Sequence, residues 1–407
     1  MGRAFERERE LDDAFLMRTF GRKPVEFVRG AGCRLYDDDG KEYLDFLAGI
    51  GVVSVGHCNP QVTDAIVRQA EKLVHVGNYF YIEHRGELAS RICSMLAAGG
   101  EDERWRVFFA NSGAEANEGA IKLARLWGRR HLGGAQGILT ARQSFHGRTL
   151  ATLAATGQAA LQEPFEPLPA GFAHIPLNDV DALEAALDAD IDGTAPVAVM
   201  LECIQGESGV WPCTEEYLHA ARELTAARGM LLLLDEVQTG FGRTGEHFAY
   251  QGYGVRPDIV SMAKGIADGV PMGAFAACGQ LAELLQPGDH GSTFGGSNIA
   301  CAAADATTRL MCEPGFLEHV RAVGEHFRAR LAGLPFVTDV RGRGLMVGIS
   351  LEQPVAPQLV GAGLAHGFVL NAPAGDIIRL LPPLVIGEEE VDALVDALPQ
   401  MYEEACQ

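Results

Sequence analysis

The sequence predicts an α/β protein: a large domain with a central, mostly parallel sheet, completed by a smaller α+β domain built from both termini. Three observations predict it. In the middle of the chain, short apolar runs alternate with stretches of helical periodicity, the pattern of parallel strands that carry helices on both faces. Both ends lack that alternation and show a hairpin and short strands instead. Finally, 407 residues, 47% hydrophobic and 21% charged, suffice for two or three packed domains whose cores need neither disulfides nor a structural metal.

Taken in order, residues 33–46 (CRLYDDDGKEYLDF) read as a hairpin that turns at Asp39-Gly40. Residues 106–110 (RVFFA) are the first buried strand, and the helical pattern of 114–127 follows it. Further strands are expected at 137–141 (GILTA), 197–201 (VAVML), 230–234 (MLLLL) and 258–263 (DIVSMA), with a helix at 215–227. Their unbroken apolar character is that of strands covered on both faces. Beyond Arg341, short strands at 344–351, 368–370 and 377–380 are separated by helices, and a helix at 388–404 closes the chain. The expected division is a large domain at 71–310 and a small one formed by 1–70 with 311–407. No repeat or tether-like linker separates them, so close packing is expected.

Composition excludes several classes of function. With 33 basic and 54 acidic residues the net charge is −21, which repels nucleic acid and anionic lipid and leaves small molecules or proteins as partners. Nine cysteines, an odd number with no pair at C-x2-C spacing, suggest neither a disulfide framework nor a zinc site, and favour a reducing, cytoplasmic compartment. No H-E-x-x-H pair supports metal hydrolysis. The stretch MGRAFERERELDDAF is highly charged and lacks an apolar signal core. Prolines and glycines break the long uncharged stretch at 353–375, so no membrane span is expected.

Three places carry candidate chemistry. Asn111-Ser112-Gly113-Ala114-Glu115 follows the first strand: Ser112 and Glu115 fit a capping box, and Gly113 lets a ligand approach the exposed N–H groups. This is either an anion site or a capped helix that binds nothing. Asp235-Glu236 ends a buried strand, where open α/β sheets place their ligands. For Glu236 an acidic helix cap or a solvated loop is the alternative. Lys264 follows an apolar run, where it is either solvated or desolvated enough to act as a Schiff-base nucleophile. A phosphate cradle, a carboxylate for a pyridinium proton and a lysine downstream are together what pyridoxal phosphate requires.

The strings NSGAEANE (111–118), FHGRT (145–149), ECIQGESG (202–209), LDEVQTGFGRTG (234–245), AKG (263–265), HGSTFGGSNIAC (290–301) and IIRLLPPL (377–384) resemble those of the class III, fold type I aminotransferases. The likeness runs from about Phe27 to the last helix. It implies the fold type I architecture and pyridoxal phosphate as cofactor. Lys264 would bind the cofactor aldehyde and, once released, shuttle the substrate proton; Asp235 would pair with the pyridine nitrogen. Ser112, Gly113 and Ala114 would hold the phosphate. Phe145 and Val237 would lie on opposite faces of the ring, and Gln238 would reach the phenolic oxygen. Thr293 would contact the phosphate in a neighbouring subunit, which implies a homodimer with shared sites.

The resemblance also implies the substrate side: a small-molecule amino donor, with 2-oxoglutarate and glutamate as the second pair. Arg148 and Arg379 match carboxylate-binding positions, for which guanidinium is suited. Glu207 would cover Arg379 when an ω-amine donor is bound and withdraw for glutamate, leaving Arg148 for the other carboxylate. Arg343 is expected to be structural. Members that take free ornithine carry a tyrosine where this chain has Ile50, which favours an N-acylated donor. Cys203 stands where proline is common, and Ala267-Asp268 where small glycines are. An aminomutase has no need to alternate between two carboxylate patterns, and a non-catalytic relative would have lost Lys264 or Asp235.

Overall fold

A computed structural model describes residues 3–97 and 104–407; Met1 and Gly2 of the charged N-terminal stretch lie outside the described residues. After a helix at Arg3–Phe15, strands β1 (Phe27–Ala31), β2 (Arg34–Asp37) and β3 (Glu42–Asp45) form an antiparallel sheet. The predicted hairpin is β2 and β3.

The large sheet takes β4 (Trp105–Ala110), β5 (Gly137–Ala141), β6 (Phe172–Ile175) and β7 (Pro196–Leu201). A two-strand ribbon, β8 (Ile204–Gln205) and β9 (Trp211–Pro212), precedes its remaining strands, β10 (Leu231–Asp235), β11 (Ile259–Met262) and β12 (Gly273–Cys278). The order is β4-β12-β11-β10-β7-β5-β6. Pairings among β11, β10, β7, β5 and β6 are all parallel, whereas β12 runs antiparallel to both β11 and β4. The mostly parallel expectation holds. Both β6 and β12 add to the five strands read from the sequence.

Alternating residues of each strand serve different cores, as the pleat demands. Leu232, Leu234, Val260 and Met262 join the larger cluster on one face. Leu231, Leu233, Ile259 and Phe275 pack on the other beneath the helix Gly113–His131. That helix sits so close that a Cβ on Gly119 would lie 2.2 Å from the Phe275 ring.

The C-terminal part adds β13 (Val337–Arg343), β14 (Met346–Leu351), β15 (Phe368–Val369), β16 (Asn371–Ala374) and β17 (Ile377–Leu380). β15 extends the N-terminal sheet beside β3, while β13, β14, β17 and β16 form a sheet of their own. Cys33 and Phe46 share one hydrophobic unit with residues from Val320 to Met401. Arg243 connects this unit to the large sheet by donating to the Leu345 and Pro382 carbonyls at 3.0 and 2.6 Å. Burial pushes its pKa down to about 9, with Asp45 opposing the fall.

No described helix is long and apolar enough to cross a membrane. No disulfide joins any two cysteines among the described residues.

Gly119→Ala should lower stability by about 1–3 kcal/mol, because the added carbon cannot fit without moving the helix off Phe275. The urea midpoint measures this, and an unchanged midpoint would show the helix seated less tightly.

Candidate active site

Strand ends converge at one edge of the large sheet. Asp235 pairs with Ser261, three residues before Lys264, and Ala110 pairs with Gly273. The helix start at Gly113, the carboxylate and the lysine therefore surround a single cavity of about 380 Å³. Ser112, Ala114, Phe145, Arg148, Glu207, Val237 and Gln238 also line it. Two predicted residues do not: Arg379 lies behind Glu207, and Thr293 stands on an exposed loop.

At the helix start the Ser112 hydroxyl accepts the Glu115 N–H at 3.2 Å, as expected. The reciprocal half of the capping box does not form. Glu115 instead accepts the Asn111 backbone N–H and side-chain amide at 2.7 and 2.8 Å, reaching one residue further because the chain turns sharply off β4 there. The N–H groups of Gly113 and Ala114, at the first turn, have no intrahelical acceptor and point a partial positive charge toward a ligand. Glycine is required at 113 for an additional reason: a Cβ would meet Val237 Cγ1 at 2.8 Å.

Asp235, only 3% exposed, is held by three donors. Asn117 Nδ2 and His146 Nδ1 reach Oδ2 at 2.7 and 2.8 Å, and the Val237 N–H reaches Oδ1 at 3.0 Å. Asn117 and His146 were not among the residues predicted from sequence. The available signals were the four-residue spacing from Gly113 to Asn117, which places both on one helix face, and the histidine beside Phe145 in FHGRT. Burial alone would lower the His146 pKa; the hydrogen bond and charge of Asp235 outweigh it and raise it, keeping the Nδ1 proton on the ring.

Beside them Glu202 is buried and accepts the Phe145 and Gly206 N–H groups at 2.9 and 3.1 Å. Burial pushes its carboxyl up to about 7, against the pull of His146. Glu236 is neither solvated nor directed at the cavity: fully buried, it accepts the N–H groups of Ala249 and Tyr250 and so caps the short helix Ala249–Gly252.

Glu207 is the hub of the cavity's other side. Its Oε1 pairs with Arg379 Nη1 at 2.8 Å, accepts Gln238 Nε2 at 2.9 Å and stands 3.7 Å from Lys264 Nζ. Burial works to raise the Glu207 pKa, but the charges of Arg379 and Lys264 prevail and hold it at about 2. The Lys264 pKa is also lowered, here by desolvation, with Glu207 opposing and Arg379 adding to the fall. Arg379, 2% exposed, also donates to the Gly206 carbonyl at 3.1 Å and to Asn371 Oδ1 at 3.0 Å. Arg148 is exposed at the mouth, its guanidinium 5.4 Å from the centre of the Phe145 ring. Arg343, as expected, is structural: it donates to the Gly252 carbonyl and lies 3.8 Å over Tyr253.

These donors fit pyridoxal phosphate. Free N–H groups at a helix start suit a phosphate, a carboxylate at the cavity floor suits a protonated ring nitrogen, and a desolvated amine suits an aldehyde. The buried Asn117 Oδ1 and His146 Nε2, which lack protein partners, mark this floor as polar.

Residues 18–402 match the family model described as Aminotransferase class-III. The acetylornithine aminotransferase of Streptomyces coelicolor is 46% identical over 395 residues, 96% of this chain and 94% of that one. That of Corynebacterium efficiens is 47% identical over 391 residues, covering 96% and 95%. Among solved structures, acetylornithine aminotransferase from Elizabethkingia anophelis superposes with a TM-score of 0.84 at 34% identity, covering 98% of this chain and 99% of that one. A Toxoplasma gondii ornithine aminotransferase, with partial occupancy of PLP at its active site, gives 0.90 at 31% identity, covering 99% and 96%.

Because the folded-state pKa of Glu207 lies below its ordinary 4.5, its stabilisation is complete above that pH and is lost as pH falls toward about 2. Glu207→Gln, which leaves Arg379 without its counter-charge, should cost about 1–3 kcal/mol at neutral pH and less at about pH 3.5. Urea midpoints of the two proteins across that range test the sign.

Proposed function

We propose, from the premise that this chain belongs to the class-III aminotransferase family, that it transfers the δ-amine of N2-acetylornithine to 2-oxoglutarate, yielding N-acetylglutamate 5-semialdehyde and glutamate. The observation that carries this reading is the Glu207–Arg379 pair at 2.8 Å. With Arg379 covered, a donor cannot seat an α-carboxylate on it and enters with its distal amine toward Lys264. Its carboxylate then meets Arg148 at the mouth. For glutamate or 2-oxoglutarate, Glu207 withdraws and frees Arg379, so the two half-reactions use one cavity in turn.

Pyridoxal phosphate, when bound, supplies the electron sink that makes the carbon bearing the amine acidic. Lys264 would be the residue that holds its aldehyde and, once released, the base that takes the proton from that carbon. A lowered pKa suits the lysine to this task, since the neutral amine is the base. Asp235, fixed by Asn117 and His146, would keep the ring nitrogen protonated. Phe145 and Val237, which both line the cavity, would contact the ring, and the first N–H groups after Ser112 would hold the phosphate. Ile50, apolar and 38% exposed, offers no partner to a free α-amine and tolerates an acylated one.

A homodimer with shared sites is part of this proposal. Thr293 lies on an exposed loop whose Ser292 accepts Asn111 Nδ2 at 3.1 Å, and Asn78 donates to that loop at Ser292 and Gly295. Beside it Tyr79 and Tyr81 are wholly exposed, and Phe80 and Phe294 more than half so, a patch suited to burial against a second copy that would carry Thr293 to its neighbour's phosphate. Cysteines that form no disulfide among the described residues support a reducing, cytoplasmic setting.

A panel of donors with 2-oxoglutarate, scored by glutamate formed, tests the substrate. Acetylornithine should outpace succinylornithine, N-succinyl-diaminopimelate, free ornithine and 4-aminobutyrate; equal or better turnover of free ornithine overturns the assignment. Lys264→Ala should abolish the visible absorption of the purified protein and cut turnover by at least about 10²-fold; survival of the band unchanged refutes the lysine's role. Glu207→Gln should shift the relative rates of the acetylornithine and glutamate half-reactions, and an unshifted ratio removes the switch.

A further inference from the structure

The turn that begins at Lys264 ends at Asp268, whose backbone is left-handed at φ 46°, ψ 44°. That conformation favours glycine, and Ala267-Asp268 stands where small glycines are expected. The aspartate is put to use: its Oδ1 accepts the Val55 N–H at 2.9 Å, across 213 positions of sequence. Burial pushes this carboxyl up to about 6, while the Val55 and Ser54 N–H groups and His57 pull it back.

The segment gripped in this way is held on its other side by the chain that follows β17, the strand that carries Arg379. Leu381 N–H donates to the Phe46 carbonyl and Leu384 N–H to that of Ser54, both at 2.8 Å. Gly265 packs against the same segment so tightly that a Cβ would lie 2.6 Å from Ser54 Oγ. Between these ties, Ala48, Gly49, Ile50 and Gly51 all have positive φ, from 50° to 71°. Such a turn, with a β-branched residue in it, persists only when its surroundings over-determine it. Val52, immediately after it, lines the cavity.

We propose that Asp268 is a positioning residue that latches the Val52 wall of the cavity to the Lys264 turn, and thereby sets the KM for the amino donor. The donor's identity rests on the function proposed above; the latch does not. With the holoenzyme, Asp268→Gly keeps the backbone conformation accessible and removes the latch, whereas Asp268→Asn retains an oxygen that accepts the same N–H. Hydrogen exchange at the Val55 amide should accelerate at least about tenfold in Asp268→Gly and stay near the parent rate in Asp268→Asn. The donor KM should rise about five- to tenfold in the glycine variant with kcat within about twofold, and return in the asparagine variant. Unchanged exchange in Asp268→Gly, or a fall in kcat at constant KM, overturns the proposal. A different best donor leaves the exchange measurement intact and counts only against the function.

Discussion

Burying a carboxylate at the end of a wholly apolar strand is the constraint on which the site is built. β10 places Asp235 at the floor of the cavity, 3% exposed, and a charged group so buried without partners would cost several kcal/mol. Three donors meet that demand, and each comes from a different piece of chain: Asn117 from the helix after β4, His146 from the loop after β5, and Val237 from the turn after β10 itself. The requirement of one side chain therefore dictates how three connections converge. The helix start is pressed onto Val237, which is why residue 113 is a glycine, and Glu202 fastens the His146 loop by its Phe145 N–H.

A second set of buried charges joins the two hydrophobic units. Arg379 comes from the C-terminal sheet and Glu207 from the segment after β7, and Gln238 bonds to both. Arg243 spans the same boundary using carbonyl oxygens in place of a counter-ion. The two joints differ in kind: Arg243 is held by carbonyl acceptors, whereas the acid that pairs with Arg379 also faces Lys264, and the function proposed above would exchange it for a substrate carboxylate.

Much of this was legible in the sequence wherever a local pattern had one physical meaning. Four leucines before Asp235 could only be a covered strand, and Asp39-Gly40 could only be a tight turn. β12 escaped because Gly-Ala-Phe-Ala-Ala-Cys has low β-propensity; it is a strand because it pairs on both edges, with β11 and β4, while Phe275 packs under Gly119 of the Gly113–His131 helix. Asn117 and His146 escaped for a different reason. Each is chemically ordinary in its own segment, and only the fold reveals that both face the same carboxylate. The motif resemblance, by contrast, pointed to Arg379 and Glu207, which spacing alone leaves 172 positions apart in the chain.

The antiparallel setting of β12 has a mechanical consequence. In most of the sheet a strand end leads into a helix, which can shift by sliding over its neighbours. Lys264 instead sits on a short return between two hydrogen-bonded strands, so both of its anchors belong to the sheet. The amine is thus anchored on both sides by the sheet, and in the function proposed above adaptation to two substrates of unlike shape would fall to the groups around it: Glu207, Arg148 at the mouth and the Val52 wall.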